Sequence, residues 1–239
     1  MAERFQRQYR SEAEMEMERD GHRGRLRSRY LKAGGDGFTD YDIIELVLTY
    51  AIPRRDVKPV ARELLRRFKD VAGIMDADPK EICEIGGMGD NSALLFRIMR
   101  DICVRYLENK VRDIDVISSP EKLINYARMK LAGYSDEVIM VICLNTKNHV
   151  IDAEIVSRGT IDAAVIYPRT IAADALRKKA AGVIIVHNHP SGVTQPSMAD
   201  REFTRAVFEA LKLLDIHLLD HLVVSRNEAF SFKEHRLLR

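Results

Sequence analysis

The sequence feature that most restricts the fold is a β-branched run followed at once by two histidines and a turn, within residues 182–192. Residues 183–186 (Val-Ile-Ile-Val) are typical of a short, fully buried strand rather than of a helix turn. Side chains alternate along a strand, so His187 and His189 leave the same face and can converge on one ion. Pro190 ends the ladder, and the chain turns there. We therefore expect a buried strand that ends in a pair of potential metal ligands.

Ser197 and Asp200 follow this turn and offer a third ligand. A serine three residues before an aspartate is a capping box, which by itself predicts only the start of a helix. A helix whose first turn faces the histidines would also hold Asp200 toward them. Two imidazoles, one carboxylate and an open fourth position are typical of a catalytic zinc site. A His-x-His pair alone also occurs where histidines cap a sheet edge or satisfy core hydrogen bonds, so the ligand set depends on Asp200.

Length and composition describe an ordinary globular protein. The 239 residues are 46% hydrophobic and 31% charged, enough for one large domain or two small ones, and a net charge of +2 does not require a nucleic-acid partner. The three cysteines are odd in number and lack CxxC spacing, which argues against a disulfide framework. The first residues contain no apolar signal region, and no apolar run reaches the roughly 18 residues of a membrane span. We expect a cytoplasmic protein without a membrane segment.

Residues 1–112 predict a small helical bundle. Thr39 and Asp42 form a capping box at the start of an amphipathic helix. Three further helices are predicted, from Val57 or Pro59 to Phe68, from Pro79 to Ile85 and from Asn91 to Leu107. Residues 1–20 lack a clean apolar stripe and predict a frayed helix or a disordered arm.

Two segments of this bundle make DNA an alternative partner. The glycine-rich turn at residues 85–92 resembles the helix-hairpin-helix turn of DNA repair proteins, in which helix N-terminal amides receive a phosphate. No lysine or arginine adjoins it, and a plain connecting turn is the other interpretation. The basic cluster at residues 22–30 is open to the same pair of interpretations, a solvated helix face or a phosphate contact.

Beyond residue 112 the pattern changes from helical to mixed, and we place a domain boundary between residues 112 and 113. Helices are predicted from Pro120 to Gly133, from Pro168 to Ala180 and from Ser197 onward. Strands are predicted at residues 138–144, 149–156, 163–167, 217–225 and 229–232, in addition to the histidine strand. The first two strands form a hairpin through the turn at residues 145–148. This domain is expected to be α/β with a mainly antiparallel or mixed sheet.

The motif resembles a known family. His187-x-His189-Pro190 followed by Ser197-x-x-Asp200 resembles the JAMM (JAB1/MPN/Mov34) metalloprotease motif, and His-Asn-His-Pro-Ser-Gly is its form in RadC proteins. Similarity to RadC sequences extends to residues 21–27, 50–59, 157–160, 167–169 and 219–223. The resemblance implies a helix-hairpin-helix-like domain (1–112) followed by a JAMM/MPN, cytidine-deaminase-like α/β domain with a mixed sheet (113–239).

The same resemblance implies roles for individual residues. It implies a zinc ion held by His187, His189 and Asp200 with water as the fourth ligand. It implies a glutamate from an early strand as general base, for which Glu137 is the best match and Glu154 the rival. It implies that Ser197 hydrogen-bonds the oxyanion of the reaction. His221, beside Asp220, is expected to be a satisfied strand histidine, with a supporting role behind the metal ligands as the alternative.

Three functions are compatible with these features. The first is a zinc-dependent hydrolase of peptide or isopeptide bonds, acting on a peptide or protein substrate. The second is a DNA-associated accessory protein of repair or recombination. The third is a metal-bearing binding module without turnover, because a family motif does not certify catalysis.

Overall fold

The computed structural model of the chain describes residues 21–112, 114–158 and 167–238, with the backbone alone at residue 158. Its contacts divide the chain into two compact units between Arg100 and Asp101. That point lies inside a helix, twelve residues before the end of the helix at Arg112. The boundary expected between residues 112 and 113 stays a prediction. In the described parts of the chain, no helix combines the length and the apolar character that crossing a membrane requires.

The described part of the first unit, residues 21–100, is helical. Its elements are α1 (Gly21–Ala33), a 3₁₀ turn (Gly35–Gly37), α2 (Asp40–Ala51), α3 (Lys58–Phe68), α4 (Val71–Asp76), α5 (Pro79–Cys83) and the beginning of α6 (Asp90–Arg112). The capping box at Thr39 is confirmed, since the Asp42 amide donates to Thr39 Oγ1 at 3.3 Å and the Thr39 amide donates to Asp42 Oδ2 at 3.0 Å. Short α4, capped by Asp70, was not predicted. Apolar faces of these helices share one core, which includes Ile44, Leu48, Leu64, Ile74, Ile82 and Phe96.

Both segments that suggested DNA have structural contacts in this unit. Arg23 donates to the carbonyls of Thr49 (3.1 Å) and Ile52 (2.9 Å) and so caps the end of α2, where carbonyls lack helical partners. Arg29 forms an ion pair with Asp42.

The glycine-rich turn likewise has the contacts of a loop that connects two helices. Gly87 has φ +94°, which a side chain would strain. The Gly89 amide is already satisfied by Ser92 Oγ at 2.9 Å, and acidic Asp90 occupies the first turn of α6. A negative charge there opposes a phosphate. DNA binding stays a prediction that these contacts do not favour.

The second unit contains a mixed five-stranded sheet, as predicted. Its elements are α7 (Pro120–Leu131), β1 (Val138–Leu144), β2 (Val150–Arg158), α8 (Pro168–Arg177), β3 (Gly182–Asn188), α9 (Met198–Lys212), β4 (His217–Val224) and β5 (Ala229–Ser231). The strand order is β2-β1-β3-β4-β5. Pairs β1–β2, β1–β3 and β4–β5 are antiparallel, whereas β3–β4 is parallel. The strand expected at residues 163–167 falls almost entirely on residues outside the described ranges.

Alternation along the strands creates a core on each face of the sheet. Met140 and Ile142 of β1 pack toward α7, whereas Val141 and Cys143 pack toward α8 and α9. All seven residues of β3 are buried, which confirms the strand predicted from its β-branched run. His187 continues the alternation that places Ile185 on the α8/α9 side, so its ring meets α9. Asn188 takes the opposite direction. The side chains of His187 and Asn188, which are adjacent in sequence, therefore lie on opposite faces of the sheet.

Candidate metal centre

The end of β3 and the start of α9 bring the two histidines and the aspartate together. His187 is 3% exposed at the end of the strand, and the His189 amide extends the pairing by donating to the Val224 carbonyl at 2.9 Å. Ser197 caps α9 as predicted: the Asp200 amide donates to its Oγ at 3.1 Å, and the Ser197 amide donates to Asp200 Oδ2 at 2.7 Å. The capping box turns the Asp200 carboxylate back over the first turn, where the imidazoles lie.

The two imidazoles and the carboxylate converge. His187 Nε2 lies 3.0 Å from His189 Nε2 and 3.3 Å from Asp200 Oδ1, and His189 Nε2 lies 3.7 Å from the other carboxylate oxygen, Asp200 Oδ2. In a tetrahedral zinc site with bonds of about 2.0–2.1 Å, ligand atoms are separated by about 3.3 Å. The three separations lie within a few tenths of an ångström of that length. The cluster could therefore hold a metal ion.

The hydrogen-bond partner of His189 determines its tautomer. His189 Nδ1 lies 2.6 Å from the carbonyl oxygen of Val193. A carbonyl oxygen only accepts, so Nδ1 must carry the proton that is donated. In the neutral ring Nε2 is then bare, and its lone pair points into the cluster.

A chain of hydrogen bonds gives His187 the same tautomer. Thr204 Oγ1 donates to the Asp200 carbonyl, which can only accept, so the hydroxyl must in turn accept from His221 Nδ1 at 2.6 Å. Neutral His221 then has a bare Nε2, which accepts from His187 Nδ1 at 2.8 Å. The chain runs in one direction from His187 to the backbone of Asp200. It leaves His187 Nε2 without a proton.

Two imidazole lone pairs and one carboxylate consequently face one another. In the neutral tautomers no hydrogen lies between the two Nε2 atoms, although they are 3.0 Å apart. Such an arrangement is repulsive unless a cation or an additional proton occupies the centre. Metal ligation by histidine typically has this form, with the second ring nitrogen donating to a protein group. The donor set thus fits a divalent metal ion.

The electrostatics of the cluster suit ligation. Burial lowers the pKa of His187 to about 4, which keeps this ring neutral at pH 7. The hydrogen bond that the protonated ring would donate to Asp200 raises the pKa of His189. Burial raises the pKa of the Asp200 carboxyl, but its interactions with His189 and His187 and the hydrogen bonds from Ser197 together hold it well below its usual range. Asp200 is therefore the anionic member of the cluster.

Glu137 lies at this cluster, and Glu154 does not. Glu137 stands immediately before β1, with Oε1 4.0 Å from His189 Nε2. Glu154 lies on β2, where its Oε2 accepts from Lys178 Nζ at 2.9 Å. Glu137 lines the cavity that opens beside the candidate metal ligands, and Glu154 is not part of that lining. Of the two glutamates named from the sequence, only Glu137 is within reach of a ligand bound at the cluster.

The cavity beside the cluster has a volume of about 750 Å³. Its polar lining residues are the three candidate ligands together with Glu137, Ser191, Gln195, Ser197 and Glu202. Its apolar lining residues include Ile139, Tyr167, Pro168, Val193, Phe203 and Ala206. Pockets of this size and mixed character are typical of small-molecule and peptide sites.

Comparison with known proteins supports the assignment of this region. The profile of the family described as "RadC-like JAB domain" matches residues 117–237. UPF0758 protein FN0909 of Fusobacterium nucleatum subsp. nucleatum is 36% identical over 230 residues, which cover 93% of this chain and 99% of that protein. The chain belongs to the RadC family. The matched region of this RadC protein contains the whole cluster and the cavity beside it.

In this RadC protein, His221 lies on β4 with both ring nitrogens hydrogen-bonded, which agrees with the satisfied strand histidine predicted from the sequence. One of its partners is His187, the position that the alternative, a supporting role behind the candidate ligands, requires. The structure places it, fully buried, directly behind His187. Its ring also stacks on Phe232 at 4.6 Å between centroids. The signal that could have located it is the parallel pairing of β3 with β4, in which His221 is opposite Ile185. Strand pairing of that kind is long-range and cannot be read from the local pattern.

Proposed function

We propose that this RadC protein is a zinc-dependent hydrolase that cleaves a peptide or isopeptide bond with a metal-activated water. The observation that carries the proposal is the convergence of two imidazole Nε2 atoms and the Asp200 carboxylate beside an open cavity. Two imidazoles and one carboxylate are a ligand set that zinc uses in metalloproteases, with a fourth position left for water. His187, His189 and Asp200 would hold the ion.

When bound, zinc lowers the pKa of a coordinated water to about 7 and polarises a substrate carbonyl. Glu137 supplies the proton transfers. Its carboxylate, 4.0 Å from His189 Nε2, is placed to accept a proton from a water at the cluster and to return it to the leaving amine. A carboxylate on the open side of the cluster is suited to this role because it contacts the solvent-filled cavity rather than a permanent cation.

Ser197 has a second role in the proposal, as a donor to the oxyanion. Its hydroxyl donates to Asp200 Oδ2 at 2.6 Å, while its oxygen accepts from the Asp200 amide at 3.1 Å. Rotation of the hydroxyl hydrogen toward the cavity would keep the second bond and offer a donor to a developing negative charge. The helix cap and the oxyanion contact therefore use different parts of the same hydroxyl group.

The cavity supports a peptide as substrate. Its lining combines apolar residues, which include Tyr167 and Phe203, with the polar residues Glu137 and Ser197. The apolar residues suit a side chain next to the scissile bond, and the polar residues can hydrogen-bond the amide. A volume of about 750 Å³ accommodates a short segment of polypeptide rather than a whole folded chain.

Metal analysis of purified variants tests the site. We expect His187→Ala and Asp200→Ala to lose bound zinc, whereas His217→Ala, which changes an exposed histidine on β4, retains it. Stoichiometric zinc in both ligand variants would contradict the proposal.

Hydrolysis of a peptide and isopeptide library tests the reaction. Glu137→Gln is expected to keep zinc but to lower turnover by at least about 100-fold, in line with the contribution of general acid–base catalysis. Zinc binding together with peptide binding but no cleavage by the wild-type protein would replace the hydrolase with a metal-bearing binding module.

A further inference from the structure

We infer that Asn188, the residue between the two histidines, is a positioning residue for Glu137. The inference rests on the proposed function, in which Glu137 moves the protons of the reaction. Asn188 is 5% exposed, and its carboxamide points away from the metal ligands, toward the opposite side of the sheet. Its partners are backbone groups of Val138, directly after Glu137, and of Asp136 and Tyr134, which precede Glu137.

The carboxamide holds both neighbours of Glu137. The Val138 amide donates to Asn188 Oδ1 at 2.8 Å. Asn188 Nδ2 donates to the carbonyl of Asp136 at 3.1 Å and to that of Tyr134 at 3.4 Å. One planar group therefore fixes the backbone on each side of Glu137, and the carboxylate of Glu137 remains free to face the cavity.

These hydrogen bonds of Asn188, which we call the Asn188 clamp, begin where the backbone pairing of β1 with β3 ends. The pairing of β1 with β3 runs from Leu144 opposite Gly182 to Ile139 opposite His187 and stops there. Continued pairing would place Val138 opposite Asn188, and at that position the Val138 amide donates to the side chain of Asn188 rather than to its backbone. The side-chain amide, which has the same donor and acceptor as a peptide group, takes over the bonding where the ladder ends.

The end of β3 positions both the proposed base, Glu137, and the proposed metal ligands. His187 and His189 point to one face of β3 and hold the metal, while Asn188 points to the other and holds the segment that carries Glu137. The 4.0 Å separation between Glu137 Oε1 and His189 Nε2 is thus set by residues that are adjacent in sequence. A misplacement of about 1 Å in a catalytic group can lower a rate by about 100-fold.

Asn188→Ala tests the inference, with Asn145→Ala as the matched control. Asn145 makes equivalent bonds at the other end of β1, where its Oδ1 accepts from the amides of Lys147 (2.8 Å) and His149 (3.0 Å). Both substitutions remove side chain–backbone hydrogen bonds at an end of β1. Only Asn188→Ala removes them beside Glu137.

We expect Asn188→Ala to retain stoichiometric zinc and a KM within about 2-fold of wild type, while kcat falls by about 10–100-fold, the usual effect of losing a supporting residue. In a Glu137→Gln background the same substitution should lower kcat by less than about 3-fold, because nothing remains to be positioned. Asn145→Ala should leave kcat unchanged. An unchanged kcat in Asn188→Ala, or an equal loss in both backgrounds, overturns the inference.

Amide hydrogen exchange provides a readout that needs neither substrate nor turnover. Exchange at Val138 should accelerate by at least about 10-fold in Asn188→Ala and remain at the wild-type rate in Asn145→Ala. Wild-type exchange at Val138 in Asn188→Ala overturns the clamp. If the wild-type protein binds zinc but cleaves no peptide, the proposed function fails, and the exchange measurement still decides whether Asn188 holds the Glu137 segment.

Discussion

The Nδ1 atom of His187 lies 2.8 Å from the Nε2 atom of His221, and both rings are buried. The contact begins the chain that passes through Thr204 and ends on the backbone carbonyl of Asp200. Two of the three proposed ligands are therefore joined by hydrogen bonds behind the metal position. His221 orients His187, and Thr204 orients both His221 and the first turn of α9.

The His221 contact predicts a change in metal affinity. His221→Phe can preserve the stacking on Phe232 but removes the acceptor for His187 Nδ1. We expect zinc affinity, measured by competition with a chelator, to fall by about 10–100-fold. Thr204→Val should act in the same direction because it removes the acceptor for His221. His217→Ala, on the same strand but exposed, serves as the control, and unchanged affinity in a folded His221→Phe protein would rule out the supporting role.

The two capping boxes allow the structural and chemical roles of Ser197 to be separated. Thr39 with Asp42 and Ser197 with Asp200 make the same three hydrogen bonds at the starts of α2 and α9. Thr39→Ala and Ser197→Ala should each lower the free energy of unfolding by about 1 kcal/mol. Only Ser197→Ala should also lower kcat, by about 100-fold or more, as an oxyanion donor does. Denaturant unfolding and steady-state kinetics measure the two effects, and equal activity in both variants would limit Ser197 to its cap.

Lys178 predicts a pH-dependent contribution to stability. Its Nζ lies 2.5 Å from Asp152, 2.9 Å from Glu154 and 2.6 Å from Asp174, so it joins β2 to the end of α8. Burial raises the pKa of the Asp174 carboxyl, but the hydrogen bonds from Lys178 and Arg177 outweigh it and lower the pKa overall. A depressed carboxyl pKa stabilises the fold above the unfolded value of about 3.9, and the contribution is lost as pH falls through the folded value.

Lys178→Met should therefore reduce the free energy of unfolding at pH 7 by about 1–3 kcal/mol, between the effects of surface and buried ion pairs. The difference from wild type should shrink as pH is lowered from 5 to 2, because the carboxylates become neutral in both proteins. Urea unfolding across this range measures it. Lys122→Met, which changes an exposed lysine of α7, is the control. A difference that stays constant with pH would mean that Lys178 contributes through packing rather than charge.

The cysteines should differ in reactivity. Cys143 is fully buried in β1, and burial raises the pKa of its thiol to about 11. Since the thiolate is the reactive form, about one part in a thousand is available at pH 8, and it is shielded as well. We expect iodoacetamide to label partly buried Cys103 in the native protein and Cys143 only after unfolding. Peptide mapping by mass spectrometry follows the sites, and equal native labelling of the two would contradict the buried position of Cys143.

Local patterns predicted most elements near the site. The β-branched run predicted β3, and Ser197 with Asp200 predicted the start of α9, because strand alternation and helix capping depend on residues that are close in sequence. The hairpin between β1 and β2 was confirmed for the same reason. The mixed character of the sheet was confirmed as well, although it depends on the long-range pairing of β3 with β4. Short α4 was not predicted, because a six-residue helix carries too little periodicity to recognise.

The sequence by itself determined that His187, His189 and Asp200 are the candidate ligands, since strand alternation places both imidazoles on one face and a capping box starts a helix whose first turn can hold Asp200 toward them. The tertiary structure alone decided which glutamate lies beside them and where the protons of the ligand rings lie. Glu137 is at the cluster and Glu154 is bonded to Lys178 because of how β1, β2 and α8 pack. The tautomer of His187 depends on His221, 34 residues away in the chain, which strand pairing brings within hydrogen-bond distance.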